Sequence, residues 1–115
     1  MHEIGIANEI IRAGQVEVTL RPGSTLCRIG IRIGVLAGVD IDALNFAFQA
    51  LTQGTELSNV DFDVQICPRR NRCLACSTEF ESAMYCEPCP KCASPDAMLI
   101  GGSELDLSYV EVEEA

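Results

Sequence analysis

Seven cysteines and one histidine carry most of the chemistry available to this 115-residue chain. Four of the cysteines form two Cys-x-x-Cys pairs, Cys73-Leu74-Ala75-Cys76 and Cys89-Pro90-Lys91-Cys92, with twelve residues between them. Each pair can set two thiolates on one tight turn, and two such turns can close on a single ion. Four sulfurs at about 2.3 Å in a tetrahedron make the closed site of a structural zinc, with no position left for a water nucleophile. The spacing therefore predicts structural Zn2+ held by Cys73, Cys76, Cys89 and Cys92. A redox role fits less well, because thioredoxin-like motifs open a helix after a strand and do not come as paired turns. Cys86 offers a second register, Cys86-Glu87-Pro88-Cys89, so either Cys86 or Cys92 is the spare thiol. A Cys-Pro-x-Cys turn that mirrors the first pair favours Cys92. Cys27, on a strand, and Cys67, at a strand end, read as small buried or half-buried residues.

His2 is the only histidine, and it follows Met1. A large residue at position 2 normally leaves the initiator methionine in place. The Met1 α-amine, the His2 backbone nitrogen and the His2 imidazole then form three consecutive donors that close a five-membered and a six-membered chelate ring. A planar nitrogen set suits Ni(II) or Cu(II), whereas thiolates hold zinc. Metal must displace protons from these groups, so affinity falls as pH drops. Glu3 either adds a fourth ligand, through its backbone nitrogen or carboxylate, or is a favourable charge at a helix start.

Composition limits what else the chain can be. With 48% hydrophobic and 22% charged residues it is a folded globular protein, and its length allows one domain with a small appendage. A net charge of −9 opposes phosphate backbones and anionic lipid, and the short run Arg69, Arg70, Arg72 does not reverse that balance. No stretch approaches the roughly 20 apolar residues of a membrane span, and the N-terminus lacks a basic-then-apolar leader. An odd cysteine count without an export signal favours metal binding in a reducing compartment, so the expected location is cytoplasmic.

The elements that must position these ligands divide into two kinds. Residues 67–92 hold six of the seven cysteines and three prolines but few large aliphatic side chains. Ordering that stretch costs about 1.5 kcal/mol per residue, which so little apolar burial cannot offset. A structural zinc, worth an apparent ~10 to 16 kcal/mol in finger peptides, supplies what is missing. The flanks, 1–66 and 93–115, read as an α/β layer. Ile29, Ile31, Ile33 and Val35 alternate with Arg28, Gly30, Arg32 and Gly34, which predicts a strand over about 26–36 with one buried face. Asp40 or Asp42 caps a helix carrying Ala43, Leu44, Ala47, Phe48 and Leu51, which stops at Gly54. Val60, Phe62, Val64 and Ile66 predict a second strand that leads into Cys67. Leu105, Leu107, Val110 and Val112 predict a third, slipped near Tyr109. Over 4–20, Ile4, Ala7 and Ile11 fit one helix face, although Gly14 and the run Val16 to Leu20 weaken it and Pro22-Gly23 ends it.

With Met1-His2-Glu3-Ile4 at one end and the two cysteine pairs at the other, the chain resembles the HypA/HybF family of hydrogenase nickel-incorporation proteins. Further matching pieces are Ile33 to Val39, Ala43 to Phe48, Gly54-Thr55, Phe80 after the first pair, and Gly102-Ser103-Glu104-Leu105. The resemblance covers nearly the whole chain, with order and spacing in agreement. It implies an α+β fold: two helices packed on a three-stranded mixed sheet, with a small zinc-ribbon-like domain inserted before the last strand. It also implies Cys92 as the fourth zinc ligand, His2 as the essential nickel ligand with Glu3 beside it, and transient Ni2+ as cargo. The implied partners are a nickel-handling GTPase and the large subunit of a [NiFe]-hydrogenase, with urease maturation factors for some members. Departures from the family pattern are the uncertain end of the first helix and the extra thiol of Cys86.

Two other classes compete with this metallochaperone reading. An enzyme finds no residues: there is no Ser/His/Asp set, no phosphate-cradling glycine loop and a single histidine. A zinc-ribbon adaptor or nucleic-acid-binding regulator, with His2 incidental, requires salt-sensitive binding that the acidic charge opposes.

Overall fold

The computed structural model of the chain describes residues 2–84 and 87–114. Met1 and Cys86, both assigned candidate roles above, lie outside the described residues. Contacts divide the chain into two compact units: Met1–Arg32, Gly38–Gln65 and Asp106–Ala115 form the first, and Ile33–Ala37 with Ile66–Leu105 form the second.

In the first unit, helix α1 (Glu3–Thr19) buries Ala7, Ile10, Ile11 and Gly14, the spacing of a single helix face. The helix runs through the segment where the sequence raised doubt. Gly14 is a contact residue there: a Cβ on it would lie 2.6 Å from Ile29 Cδ1 and 3.3 Å from Leu26 Cδ2. Its missing side chain lets the helix approach the strand beneath. At the far end, the Thr19 hydroxyl donates to the Gln15 carbonyl at 3.0 Å, and Gly23 turns the chain with φ +86°, a conformation glycine adopts without penalty.

Strand β1 (Ser24–Gly34) carries the centre of the core, with Ile29 and Ile31 0% and Ile33 1% exposed. Helix α2 (Ile41–Thr52) begins where Asp40 Oδ1 accepts from the Ala43 N–H at 3.1 Å, and it buries Leu44, Ala47 and Phe48. Phe48 stacks on Phe62 of strand β2 (Asp61–Cys67), with ring centroids 4.0 Å apart. The last strand, β6 (Leu105–Glu114), shifts its half-buried positions from Leu107 to Val110 and Val112. One extra residue therefore interrupts its alternation beside Tyr109, where the sequence pattern slips. The sheet order is β2-β1-β6, so the two helices and the three-stranded sheet expected from the sequence are present.

On the exposed sheet face Arg32 forms a two-pronged bond to Asp106 at 2.9 and 3.0 Å. Arg28 lies between Asp61 and Glu111, at 3.5 and 3.6 Å. These pairs hold the strands in register more than they add stability, because exposed ion pairs are screened by water.

The second unit has its own antiparallel sheet, order β4-β3-β5, built from β3 (Arg69–Cys73), β4 (Glu79–Ser82) and β5 (Ala97–Gly101). No strand is predicted from sequence at any of the three. β3 reads Arg-Arg-Asn-Arg-Cys, with no apolar alternation to reveal it, and β5 lies beyond the cysteine segment. The unit that contains residues 67–92 thus also takes in residues 93–105 and the end of β1. Residues 33–37 are held there by Gly34 N–H to the Glu104 carbonyl (2.7 Å), Leu36 N–H to the Gly102 carbonyl (2.7 Å) and Val35 N–H to the Cys67 carbonyl (3.0 Å). Its hydrophobic cluster of buried residues is Cys73, Phe80 and Cys89.

Candidate metal centres

Both cysteine pairs follow the same backbone path. In the first, Ser77 takes a left-handed φ of +64°, its N–H reaches the Cys73 carbonyl at 3.0 Å, and the Cys73 N–H reaches the Thr78 carbonyl at 2.8 Å. In the second, Ala93 has φ +63°, its N–H reaches the Cys89 carbonyl at 2.8 Å, and the Cys89 N–H reaches the Ser94 carbonyl at 3.0 Å. Each turn thus closes on itself and presents two sulfurs on one side. Leu74 N–H to the Asp96 carbonyl, 2.9 Å, ties the first turn to the segment after the second.

The four sulfurs of Cys73, Cys76, Cys89 and Cys92 lie within 4.8 Å of one another. Cys73 to Cys92 is 3.5 Å and Cys76 to Cys89 is 3.7 Å. Ligands about 2.3 Å from a tetrahedral centre are about 3.8 Å apart, so this cluster has the dimensions and the donor type that zinc takes. Cys73 and Cys89 are buried, whereas Cys76 and Cys92 are exposed.

Hydrogen bonds to the sulfurs differ around the cluster. The Cys73 thiol is held below its ordinary range chiefly by the Cys76 backbone N–H, then by that of Ala75. Cys76 is lowered to about 6, chiefly by the Thr78 hydroxyl, which lies 3.1 Å from the sulfur and donates to it once it is a thiolate, and then by the Thr78 N–H. Cys89 accepts from the Lys91 N–H at 3.4 Å. Cys92 is pushed up to about 12: the Ser94 N–H draws it down, but its bonds to the sulfurs of Cys73 and Cys76, together with desolvation, outweigh that donor. Four thiols this close cannot all ionise without a cation among them. A divalent ion removes that conflict, because coordination deprotonates the thiol outright.

At the other candidate site His2 is the N-cap of α1, in extended backbone and exposed, with no side-chain capping bond. Its carbonyl accepts from the Ile6 N–H at 3.2 Å, so the backbone enters the helix while the imidazole stays available. Glu3 Oε2 accepts from the Asp40 N–H at 3.0 Å, and that bond is the main reason its carboxyl is held below its ordinary range. Sequence reading marks Asp40 only as a helix cap. No local spacing signals that it also anchors Glu3, 37 residues away.

The structure therefore gathers Cys73, Cys76, Cys89 and Cys92, and it sets His2 and Glu3 together at the start of α1. Two of the three β3 arginines are paired with acidic side chains: Arg70 and Arg72 both reach Glu79, at 3.0 and 3.2 Å. Among the described residues no helix is long and apolar enough to cross a membrane.

A mixed helix-and-sheet unit together with a small unit closed around four cysteines defines a small metal-handling protein. Over residues 1–112 the chain matches the family described as hydrogenase/urease nickel incorporation, metallochaperone, HypA. The hydrogenase maturation factor HypA of Geotalea daltonii is 34% identical over 112 residues, covering 97% of this chain and 99% of that protein. Its counterpart in Geobacter metallireducens is 31% identical over 113 residues, covering 98% and 100%. The solution structure of the Ni metallochaperone HypA from Helicobacter pylori superposes with a TM-score of 0.65 at 20% identity, covering 100% of both chains. A second HypA solution structure gives 0.70 at 20% identity, covering 100% of this chain and 98% of that one. The chain belongs to the HypA family of nickel metallochaperones that act in hydrogenase maturation, which are not enzymes.

Proposed function

We propose that this chain binds Ni(II) through Met1, His2 and Glu3 and delivers it in the cytoplasm to the large subunit of a [NiFe]-hydrogenase. A nickel-handling GTPase is the expected partner, since the chain has no phosphate-cradling loop of its own. Zn2+ held by Cys73, Cys76, Cys89 and Cys92 is structural in this reading. The observation that carries the nickel assignment is the exposed His2 at the helix start, with the neighbouring Glu3 fixed by Asp40. The imidazole is the one side-chain nitrogen of its kind in the chain. Nickel is cargo, so its site should be accessible, whereas half of the cysteine cluster is buried.

The nucleic-acid alternative is weakened by the pairing of Arg70 with Glu79 and Glu81 and of Arg72 with Glu79, which offsets much of the local basic charge. Calorimetry on untagged, zinc-loaded protein tests the nickel assignment. Affinity in the micromolar range, on the order of −8 kcal/mol, is expected of a transfer protein. His2→Ala should lose that binding, and so should an extension before Met1, which removes the free amine. Unchanged affinity in His2→Ala overturns the assignment.

A further inference from the structure

The two cysteine turns share a backbone, yet they use their hydroxyl residues differently. Thr78 and Ser94 occupy the same place, two residues after the second cysteine of each pair, and each offers its carbonyl to the first cysteine's N–H, at 2.8 and 3.0 Å. Cys76 and Cys92 are likewise equivalent, and they are the two exposed sulfurs of the cluster. Thr78 Oγ1 lies 3.1 Å from Cys76 Sγ. Ser94 Oγ instead accepts from the Asp96 N–H at 3.2 Å, closing the turn that leads into β5. One accessible sulfur thus has a side-chain hydroxyl on it, and its counterpart relies on backbone.

We propose that Thr78 is a positioning residue for the metal at the four-cysteine cluster. Its hydroxyl donates to the Cys76 sulfur and keeps that ligand in place, so that the cluster opens first at Cys92. The inference rests on the reading that the four cysteines hold zinc. Four thiolates around a divalent ion leave two net negative charges on the sulfurs, and donors aimed at them disperse that charge and fix each ligand's direction. A sulfur with such a donor is a weaker nucleophile towards protons and electrophiles. Cys76 and Cys92 are both exposed, and the side-chain hydroxyl is the donor that differs between them. Thr78 is only half-buried and its backbone bond does not need the side chain. Valine preserves its shape while removing the donor.

The experiment compares native protein, Thr78→Val and Thr78→Ser, each purified with zinc and measured for zinc content. Zinc transfer to a chromophoric chelator is then timed, and N-ethylmaleimide labelling is followed residue by residue by mass spectrometry. Thr78→Val should keep its zinc but release it about tenfold faster, in line with the loss of an outer-shell partner, and Thr78→Ser should restore the native rate. In native protein, label should appear on Cys92 before Cys76, and Thr78→Val should narrow that gap. A Thr78→Val protein with full zinc and the native release rate overturns the role of Thr78 and leaves the zinc reading standing. Native protein without zinc overturns both. If Thr78→Val does not fold, labelling of native protein decides: Cys76 reacting first, or together with Cys92, overturns the proposal.

Discussion

The first unit is held by side chains that leave water: Ala7, Ile11, Ile29, Ile31, Leu44, Ala47 and Phe48 are all buried. Fully burying one aliphatic side chain of this size contributes about 1.5 to 3 kcal/mol, so several together can hold two helices on a sheet. The second unit has the buried cluster Cys73, Phe80 and Cys89, two of whose members belong to the four-cysteine cluster. Its strands are short: β3 has three arginines in five residues, and β5 is apolar but largely exposed, so it adds little burial. The two units therefore draw their stability from different sources, and each should fail under a different insult.

Removing the metal is the largest of these. Chelation of zinc, or Cys73→Ser, should remove an apparent ~10 to 16 kcal/mol of folding free energy from the second unit. Hydrogen exchange should then show β3, β4 and β5 losing protection while α1, α2 and Ile29 to Ile31 keep theirs. Simultaneous loss in both units would break the comparison.

A core truncation should do the converse. Ile29→Ala leaves a cavity where Ile29 meets Gly14, and should cost about 2 to 5 kcal/mol in denaturant unfolding of the first unit. Zinc content should stay at the native value.

The smallest effect concerns acid. The Arg32 guanidinium holds the Asp106 carboxyl below its ordinary range. Because the folded-state value is depressed, the stabilisation is present above the unfolded carboxylate pKa and is lost as pH falls through the folded one. Asp106→Asn should lower the melting temperature slightly at neutral pH, and the difference should vanish in acid. A difference that persists there would assign Asp106 a role other than its charge.

The same contrast explains what could be read from sequence. Ile29, Ile31 and Ile33 advertise a strand because burial on one face imposes a period of two. Asp40 and the helical spacing of Leu44, Ala47 and Phe48 mark α2 in the same way. The spacing of the two cysteine pairs was legible too, and the fold brings their four sulfurs together. β3, β4 and β5 were not legible: Arg69–Cys73 and Glu79–Ser82 have almost no apolar alternation, and the apolar run of β5 stays exposed and imposes no one-face period. Gly14 weakened the expectation of a helix over 4–20 without overturning it: propensity counts glycine against a helix, and only the packing of Ile29 against α1 reveals why it is there. The bond from the Asp40 N–H to Glu3 depends on tertiary folding, which no window of sequence contains.

The most direct test of two metals sorted by ligand type is native mass spectrometry of untagged, zinc-loaded protein after addition of nickel. One zinc and one nickel per chain are expected, with His2→Ala keeping its zinc and losing its nickel. Nickel retained by His2→Ala, or nickel appearing only as zinc leaves, would contradict a separate nickel site at Met1, His2 and Glu3.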